Sequence, residues 1–547
     1  MKNCQYNIGK EIVVYGNRNQ FEDLRYVFSR DKFVAYSENI EEIEKYAMLD
    51  KFILLCGKDK EKMESRLRAV DWKEGGFCSD DEKIKELNYP LQKICKEKKL
   101  YVWGTGYWCT KFEEYLQEQD DSDIKINGYI DSNSDVWGTL RNGVEILSPE
   151  SLPKEDVLVV VATNYNNYVE IEHFLRDISI SKENYISVHV VMDDVAGYFK
   201  RIYDAETYYP VRCKNDDRNA RLAHNGNLCT CCMARQSVYG NIYLSDFDDI
   251  WNSKRAIISR LSLQNQTFVY CEKDRCPFLS GVSSKERVDL EEQKEVPAFY
   301  KQEYPGYPDS IAPEIDCSCN LHCKSCRNEV FIDTSPERDI YADLLLDKIV
   351  SLPPKLVIST VGDPFVSKNC LRVIHDEKTR QKKTIGIYSN GILLTPSVLD
   401  ELLNEYETID LSISVDAATK ETYEKLRRGG KWDILQRNLS YYGKMREAGK
   451  ITYLQLNYTL QADNVSEMED FMLQAEALQA DRVAMNAIEN WGHISQEEYD
   501  KMAVTFEGKV KDKYMKYFTR ELLENPLINF HNLSNLLNVE PKKMYMI

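Results

Sequence analysis

Between residues 314 and 487, short β-rich runs alternate six times with helix-length amphipathic stretches, and this alternation narrows the fold most. The runs are "PEIDC", "KLVIST", "TIGIYS", "DLSISV", "TYLQLNYTL" and "DRVAMNAI". The stretches between them include "YADLLLDKIVSL" and "VSEMEDFMLQAEALQA". Strand and helix in strict succession imply a parallel sheet, because each strand must cross back over a helix to run alongside its neighbour. Six such units predict a partial (β/α)6 barrel over 313–500, with ligands at the carboxyl ends of the strands. A C-terminal helical tail is expected over 501–547.

The first two hundred residues show a weaker form of the same pattern. "EIVVYG" and "KFILLCG" read as strands and "QFEDLRYVF" as a helix. A charged, helical, linking stretch follows, so that 1–97 is one segment. From 98 to 200, "KKLYVWGTGYWCTKFEEYLQ", "INGYIDSNSD" and "DVLVVVATN" give strand, glycine turn, helix and two further strands. The Gly104–Gly106 turn resembles the start of a dinucleotide fingerprint, in which glycines admit a phosphate to a helix N-terminus and a later acid holds a ribose. Asp131 stands in place for the acid, and Cys109 replaces the third glycine. The segment resembles the Rossmann domains of sugar-nucleotide and polysaccharide-biosynthesis proteins at the level of fold. Nucleotide binding and a docking role both remain open for it.

Charge limits the partners. With 71 basic and 89 acidic residues the chain carries a net −18, which disfavours nucleic acid, whose affinity rests on Lys and Arg contacts to phosphate. The N-terminus shows no apolar export signal, and the longest apolar runs, such as "VLVVVA", are of strand length. The expectation is a soluble cytoplasmic protein with no membrane partner. Sixteen cysteines are many for that compartment, where disulfides are rare and clustered thiols point to metal or catalysis. Cys4, Cys56, Cys78, Cys95, Cys109 and Cys370 are isolated and read as packing residues. The other ten fall in two groups, at 213–276 and 317–326.

In "CNLHCKSC", Cys319, Cys323 and Cys326 occupy one loop after the first strand of the 314–487 region. A structural zinc normally takes four ligands, and Cys317 is the one further cysteine beside these three. Three thiolates on a four-iron cluster leave one iron open. This loop resembles the signature of the radical S-adenosylmethionine (SAM) superfamily, and three further segments resemble that family in order. "STVGDPF" is similar to its Gly-Gly-Glu-Pro loop, with Gly362, Asp363 and Pro364 matching and Val361 in place of the first glycine. "YSNG" resembles its Thr-Asn-Gly at the third strand, giving Ser389 and Asn390. "SISVDAATKETYEKLRRGG" resembles its fourth-strand segment, giving Ser414, Asp416 and Arg427, with Ser412 and Arg428 as rivals. The resemblance implies a core [4Fe–4S] cluster whose open iron chelates SAM. It also implies reductive cleavage to a 5′-deoxyadenosyl radical and hydrogen abstraction from a substrate.

The second group gives four separated anchors: Cys213, the Cys231/Cys232 pair, Cys271 and Cys276. By count they suit a [4Fe–4S] cluster or a zinc ion equally. The segment 201–283 is similar to the SPASM domain, including "DFDDIWNS" and the closing Cys-x4-Cys-Pro, and that resemblance implies an auxiliary [4Fe–4S] cluster. Position after the glycine turn favours Cys231 over Cys232, and Cys229 is the weakest candidate. SPASM domains usually follow the radical SAM core, whereas this one precedes it, with 284–312 as linker. The functional expectation is a SPASM-type maturase or dehydrogenase acting on a peptide, protein or carbohydrate-like small molecule, with flavodoxin or ferredoxin as electron donor. The competing class is a non-catalytic iron–sulfur or zinc scaffold, and RNA modification is disfavoured by charge. No catalytic side chain stands out.

Overall fold

The computed structural model describes residues 10–48, 51–56, 60–69, 77–118, 124–211, 213, 219–231, 237–273, 276, 278–279, 288–289, 307–359, 361–490 and 492–539. Cys232 lies outside these residues. The chain is mixed α/β, built on three larger sheets.

The first sheet is parallel, with β1 (Glu11–Tyr15), β2 (Lys32–Ser37), β3 (Phe52–Leu55) and β4 (Phe77–Ser79) in the order β2-β1-β3-β4. Helix α1 (Arg18–Val27) follows β1 and opens on a capping box, in which Asn17 and Gln20 each satisfy the other's backbone N–H. The stretch expected to be a charged helical linker contains helices at Lys60–Ala69, Asp80–Lys85 and Leu91–Cys95, but also strand β4. Charge at its surface hid the half-buried edge strand "FCS".

The second sheet contains β5 (Lys99–Trp103), β6 (Ile126–Ile130), β7 (Leu140–Arg141), β8 (Val144–Leu147), β9 (Val157–Val161) and β10 (Tyr185–Ser187), in the order β10-β9-β5-β6-β8-β7. Only the β7–β8 pair is antiparallel. Helix α2 (Tyr107–Glu118) follows β5, and α3 (Tyr165–Asp177) follows β9 with Asn164 as its N-cap. Every residue of "VLVVV" in β9 is buried, as expected of a strand covered on both faces.

Helix α4 (Val195–Tyr203) leads to the short strand β11 (Thr207–Tyr208) and then the three-stranded unit β12 (Asn219–Leu222), β13 (Asn227–Cys229) and β14 (Gly240–Asn241). Helices α5 (Phe247–Trp251) and α6 (Lys254–Gln264) follow, and β15 (Val288–Asp289) pairs antiparallel with β11. Strands β16 (Ser310–Pro313), β17 (Lys355–Ile358), β18 (Thr384–Ser389), β19 (Thr408–Ser414), β20 (Ile451–Leu460) and β21 (Arg482–Ala487) come next. A small antiparallel pair, β22 (Thr505–Phe506) and β23 (Lys509–Val510), precedes β24 (Ile528–Asn529). These build one ten-stranded sheet in the order β14-β13-β12-β16-β17-β18-β19-β20-β21-β24.

Two boundaries differ from expectation. The strand that opens the 313–500 region is "SIAP", which begins inside the span read as linker, and "EIDC" is already loop. Backbone pairing of Ser310–Pro313 with both β12 and β17 sets the strand, and the apolar count of "PEIDC" did not reveal it. The tail beyond 501 is not purely helical, since it contributes β24, parallel to β21.

The cysteine-rich segment is stitched to the long sheet. Strand β12 runs parallel to β16, with Asn219 opposite Ser310 and Leu222 opposite Pro313. Ser310 Oγ donates to Asn219 Oδ1 at 2.7 Å, Glu314 N–H to Leu222 O at 2.8 Å, and Arg221 Nε to Glu314 at 3.0 Å. The cysteine-rich segment thus supplies three strands of the long sheet itself, beside β16. The first sheet's core continues through α4 into α6: Phe199, Ile202, Ile258 and Leu261 share it, and Tyr198 stacks on Tyr270 with ring centres 4.0 Å apart. The largest apolar cluster lies along one face of the long sheet, with Ile385, Ile387, Ile409, Leu411, Leu454, Leu456, Val483 and Met485 at alternate strand positions. No helix among the described residues is long and apolar enough to cross a membrane.

Candidate functional site

The three loop cysteines follow β16. Cys319 forms a backbone bridge with Phe331, its N–H donating to Phe331 O at 2.8 Å and Phe331 N–H returning at 3.3 Å. A turn carries Cys323 to Cys326, with Cys326 N–H on Cys323 O at 3.0 Å. Cys319 is buried, Cys323 half-buried and Cys326 exposed. Burial raises the thiols of Cys319 and Cys323 above the ordinary cysteine value. Cys317 donates to Asp333 at 3.4 Å, away from the other three. Burial works against ionisation of Asp333, but Ser335, Arg338 and Cys317 bring its carboxyl down to about 2.

The loop after β17 rests directly on this segment. Asp363 N–H donates to Ser318 O at 2.7 Å, and a Cβ on Gly362 would stand 1.9 Å from that same oxygen. Only glycine fits there. Gly362→Ala should therefore cost about 1–3 kcal/mol by forcing the loops apart, lowering the thermal midpoint. Gly106→Ala, where a Cβ meets nothing within 4 Å, should leave the midpoint in place. An unshifted midpoint for Gly362→Ala would mean the two loops do not touch in solution.

Asp363 is fully buried, and burial raises its carboxyl against three opposing donors. Those donors are Ser389 Oγ at 2.7 Å, Asn390 N–H at 2.7 Å and Phe365 N–H at 3.1 Å. The carboxylate thereby ties the end of β17 to the end of β18. Asn390 Nδ2 in turn donates to Asn320 Oδ1 at 2.8 Å, inside the cysteine loop. Gly391, with φ of 75°, completes the turn where a Cβ would lie 2.9 Å from Leu435.

At the end of β19, Asp416 takes φ of 63°, a left-handed conformation that Asp accepts more readily than most residues. Its Oδ2 accepts from Arg427 Nε at 2.8 Å and its Oδ1 from Thr459 N–H at 2.6 Å. Arg427, at the end of helix α7 (Lys420–Leu426), also places Nη1 3.9 Å from Cys323 Sγ. Asp416, read as a ribose-side residue, spends both oxygens inside the protein, and Arg427 is aligned on a cysteine thiol. Arg428, the rival candidate, holds the loop through its backbone acceptors: Nε donates to His322 O at 3.0 Å and Nη2 to Arg327 O at 3.4 Å. Ser414 ends β19 opposite Asn457. Ser412 is buried deeper, accepting from Gln455 Nε2 at 3.1 Å and Asn457 Nδ2 at 2.8 Å. Thus Gly362, Asp363, Pro364, Ser389, Asn390, Ser414, Asp416 and Arg427 all lie on the loops and strand ends beside the cysteines. Sequence reading missed Asn320, Arg327 and Thr459. Asn320 and Arg327 were visible beside the cysteines, whereas Thr459 acts through its backbone and left no signal.

In the second group, Tyr209, Phe268, Cys276 and Leu279 form a small buried cluster against which Cys213 and Cys271 pack. Burial raises the Cys271 thiol, with the neighbouring Cys213 and Cys276 adding to the effect. Cys231 sits just beyond β13, where its carbonyl lies 3.8 Å from Cys229 Sγ. A zinc ion with Zn–S of about 2.3 Å would draw its sulfurs to about 3.8 Å of one another. Among the described residues, the donors so gathered, within 4.8 Å, are His375, Glu401 and Glu405 on the helical side, and neither cysteine group is contracted in this way.

The glycine turn of the second sheet behaves differently from its expected fingerprint. Asp131 Oδ2 accepts from Thr105 N–H at 3.0 Å and Thr105 Oγ1 at 2.6 Å, and Oδ1 from Asn133 N–H at 2.9 Å. The acid thus braces the turn. Gly104, at φ of 101°, is required because a Cβ would come within 2.7 Å of Ala162 O.

Comparison with known proteins agrees with the two cysteine centres. Residues 317–472 match the radical SAM superfamily, 213–277 match an iron–sulfur cluster-binding domain named SPASM, and 96–186 match the C2185-like N-terminal family. An AdoMet-dependent heme synthase of Nitratidesulfovibrio vulgaris is 26% identical over 172 residues, covering 31% of this chain and 45% of that protein. A probable GTP 3′,8-cyclase of Methanocaldococcus jannaschii is 23% identical, covering 40% of this chain and 70% of that protein. The mycofactocin maturase MftC of Mycobacterium tuberculosis is 24% identical, covering 30% and 41%. The match thus spans less than half of the heme synthase and of the maturase. Among solved structures, SuiB of Streptococcus suis bound to S-adenosylmethionine aligns with a TM-score of 0.32 at 15% identity, covering 43% of this chain and 54% of that one.

Residues 317–472, which carry the cysteine loop and the strand-end loops seated on it, form a domain of the radical SAM superfamily. The chain carries a SPASM domain as well, placed before the radical SAM domain. The cofactors of these domains are SAM, a core [4Fe–4S] cluster and an auxiliary cluster.

Proposed function

We propose that this enzyme reductively cleaves SAM and abstracts hydrogen from a peptide, protein or carbohydrate-like substrate, as a maturase or dehydrogenase. The observation that carries the reading is the cysteine loop locked onto the β17 and β18 loops through Ser318, Asp363 and Asn390. Cys319, Cys323 and Cys326 would hold the core cluster, which when bound supplies the electron that makes SAM a source of a hydrogen-abstracting radical. Gly362 and Pro364 would present backbone groups to the methionine end, and Ser389, Asn390 and Ser414 would line the nucleoside side. Asp416 would hold Arg427 in place, leaving the rest of the guanidinium fork to a thiolate or carboxylate.

In this reading β16–β21 form a partial barrel, and the 98–200 region is a Rossmann-like domain. On the face of β18–β21 opposite the apolar core stand Tyr388, Ser412, Ser414, Gln455, Asn457 and Asn486. Neutral amides and hydroxyls suit an uncharged, hydrogen-bonding substrate such as a peptide backbone or a sugar. The test is anaerobic reconstitution with iron and sulfide, followed by an assay for 5′-deoxyadenosine with dithionite as reductant. Absence of that product from iron-loaded protein would refute the reading.

The auxiliary centre is assigned to Cys213, Cys231, Cys271 and Cys276, with Cys232 as substitute for Cys231. Reconstituted protein should carry about eight irons, as two four-iron clusters. Replacing Cys271 and Cys276 with alanine should remove about half of them while leaving the core signal in electron paramagnetic resonance. One equivalent of zinc, with iron confined to the core loop, would overturn the assignment.

A further inference from the structure

We propose that Asn464 and Glu467, in the segment that follows β20, are positioning residues that set Arg427 for the cysteine loop and for SAM. This rests on the reading of Arg427 as a SAM contact given above. The Arg427 side chain leaves the C-terminal end of α7 and meets Asp416 Oδ2 at 2.8 Å. Asp416 in turn stands at φ of 63°, and a residue with a side chain keeps such a conformation only where its surroundings hold it there. The groups that hold it come from the end of β20 and the turn beyond.

Asn464 is fully buried, and both ends of its amide are engaged. Nδ2 donates to Asp416 O and to Thr459 O, each at 2.9 Å, and Oδ1 accepts from Gln461 N–H at 2.7 Å. Thr459 is also the residue whose N–H meets Asp416 Oδ1 at 2.6 Å. One side chain therefore clamps the Asp416 carbonyl to the strand end that holds the Asp416 carboxylate. The backbone of Asn464 is fixed as well, since the Tyr458 hydroxyl donates to its carbonyl at 2.7 Å. Removing the amide takes a donor from two carbonyls in a water-excluded site, where an unmade bond is costly.

Glu467 holds the other end of the same segment. Its Oε2 accepts from Ala418 N–H at 2.8 Å and Thr419 N–H at 3.2 Å, and its Oε1 from Thr419 Oγ1 at 2.8 Å and from Thr422 Oγ1. Thr419 is the N-cap of α7, so the carboxylate fixes where that helix begins. Asp463, in the same turn, accepts from Lys425 at 2.8 Å and from Lys324 of the cysteine loop at 3.5 Å. Within residues 463–467, three side chains thus grip Asp416, both ends of α7 and the cysteine loop. Arg427, one residue past α7, stands with Nη1 3.9 Å from Cys323 Sγ as the outcome of that grip. Asn464 and Glu467 bond to its supports and not to Arg427, so what they do to SAM they do through the arginine.

The test measures SAM affinity of the iron-loaded, full-length protein by equilibrium dialysis. Asn464→Ala and Glu467→Ala should each weaken it about tenfold. Glu467→Gln keeps an acceptor oxygen and can donate to the threonine hydroxyls, so it should return close to the wild-type value. Asn464→Asp has no N–H to give to the two carbonyls and should stay weak. In an Arg427→Ala background, either alanine substitution should change SAM affinity less than about twofold, because the residue through which it acts is gone. The change that SAM makes in the electron paramagnetic resonance of the reduced core cluster should shrink in Asn464→Ala. It should be unaltered in Asp481→Asn, which weakens an ion pair with Arg446 at the opposite end of β20 and β21. If Asn464→Ala does not fold, the half-buried Glu467 carries the same measurements. Unchanged SAM affinity in the Glu467→Ala variant, or effects that add in full to that of Arg427→Ala, would overturn the proposal. Arg427→Ala binding SAM like the wild type would refute the reading of Arg427 itself, and the positioning with it.

Discussion

Replacing Cys319, Cys323 and Cys326 together with alanine is expected to reduce 5′-deoxyadenosine formation to background and to halve the iron content. The effect should be close to total because no other described thiol is placed to substitute. Cys317 is directed at Asp333, and Cys213, Cys271 and Cys276 pack in a separate cluster with Tyr209, Phe268 and Leu279. The variant should remain folded, since the loop is tied down by backbone bonds that alanine retains, from Cys319 to Phe331 and from Ser318 to Asp363. Circular dichroism and a brown protein with about four irons would show that the auxiliary centre survives. Wild-type rates of SAM cleavage by the triple variant would mean that the electron enters through another centre.

How much of this was legible depended on whether a feature is carried by side-chain pattern or by backbone. The long parallel sheet was legible because its strands alternate apolar and polar positions over a helix-covered core, from "TIGIYS" to "DRVAMNA". The cysteine loop was legible because three ligands fall within eight residues. The attachment of β12 to β16 was not. It is a parallel pairing of segments about ninety residues apart, and nothing in "NARL" or "SIAP" names the other. The reversed domain order therefore looked like an anomaly in sequence, whereas in three dimensions the pairing of β12 with β16 joins the cysteine-rich segment to the long sheet. Asp131 and Asp416 show what the side-chain pattern leaves out. Each has the residue type and position expected of a ligand-side acid, and each also accepts a backbone N–H, of Thr105 or Thr459. Sequence spacing reports where a carboxylate is, and the local φ and the nearest unpaired donor decide where it points.

That distinction makes Arg427 the most informative single position. Its guanidinium and the Asp416 carboxylate are both largely withdrawn from water, at 12% and 7% exposure, and lie 2.8 Å apart. Removing one member of such a pair leaves the other charged and buried, a cost of about 3–5 kcal/mol. Burial alone would lower the basicity of Arg427, but Asp416 and Cys323 outweigh it, so the residue stays cationic throughout the range in which the protein folds. Arg427→Ala should then do two things at once. The loss of a charge-assisted bond at the cofactor side should weaken SAM binding roughly ten- to hundred-fold. The loss of the cation beside Cys323 should make the core cluster labile, seen as faster iron release to a chelator. Arg427→Lys should restore cluster retention, since a point charge suffices there, but should recover little SAM affinity, because an ammonium cannot pair with a carboxylate through two parallel bonds. If Arg427→Ala retained its iron and bound SAM normally, the pair with Asp416 would be a structural tie with no part in the chemistry. If it lost iron and kept SAM affinity in the remaining loaded fraction, the arginine would serve the cluster alone, and the cofactor carboxylate would have to be met by another residue at the strand ends.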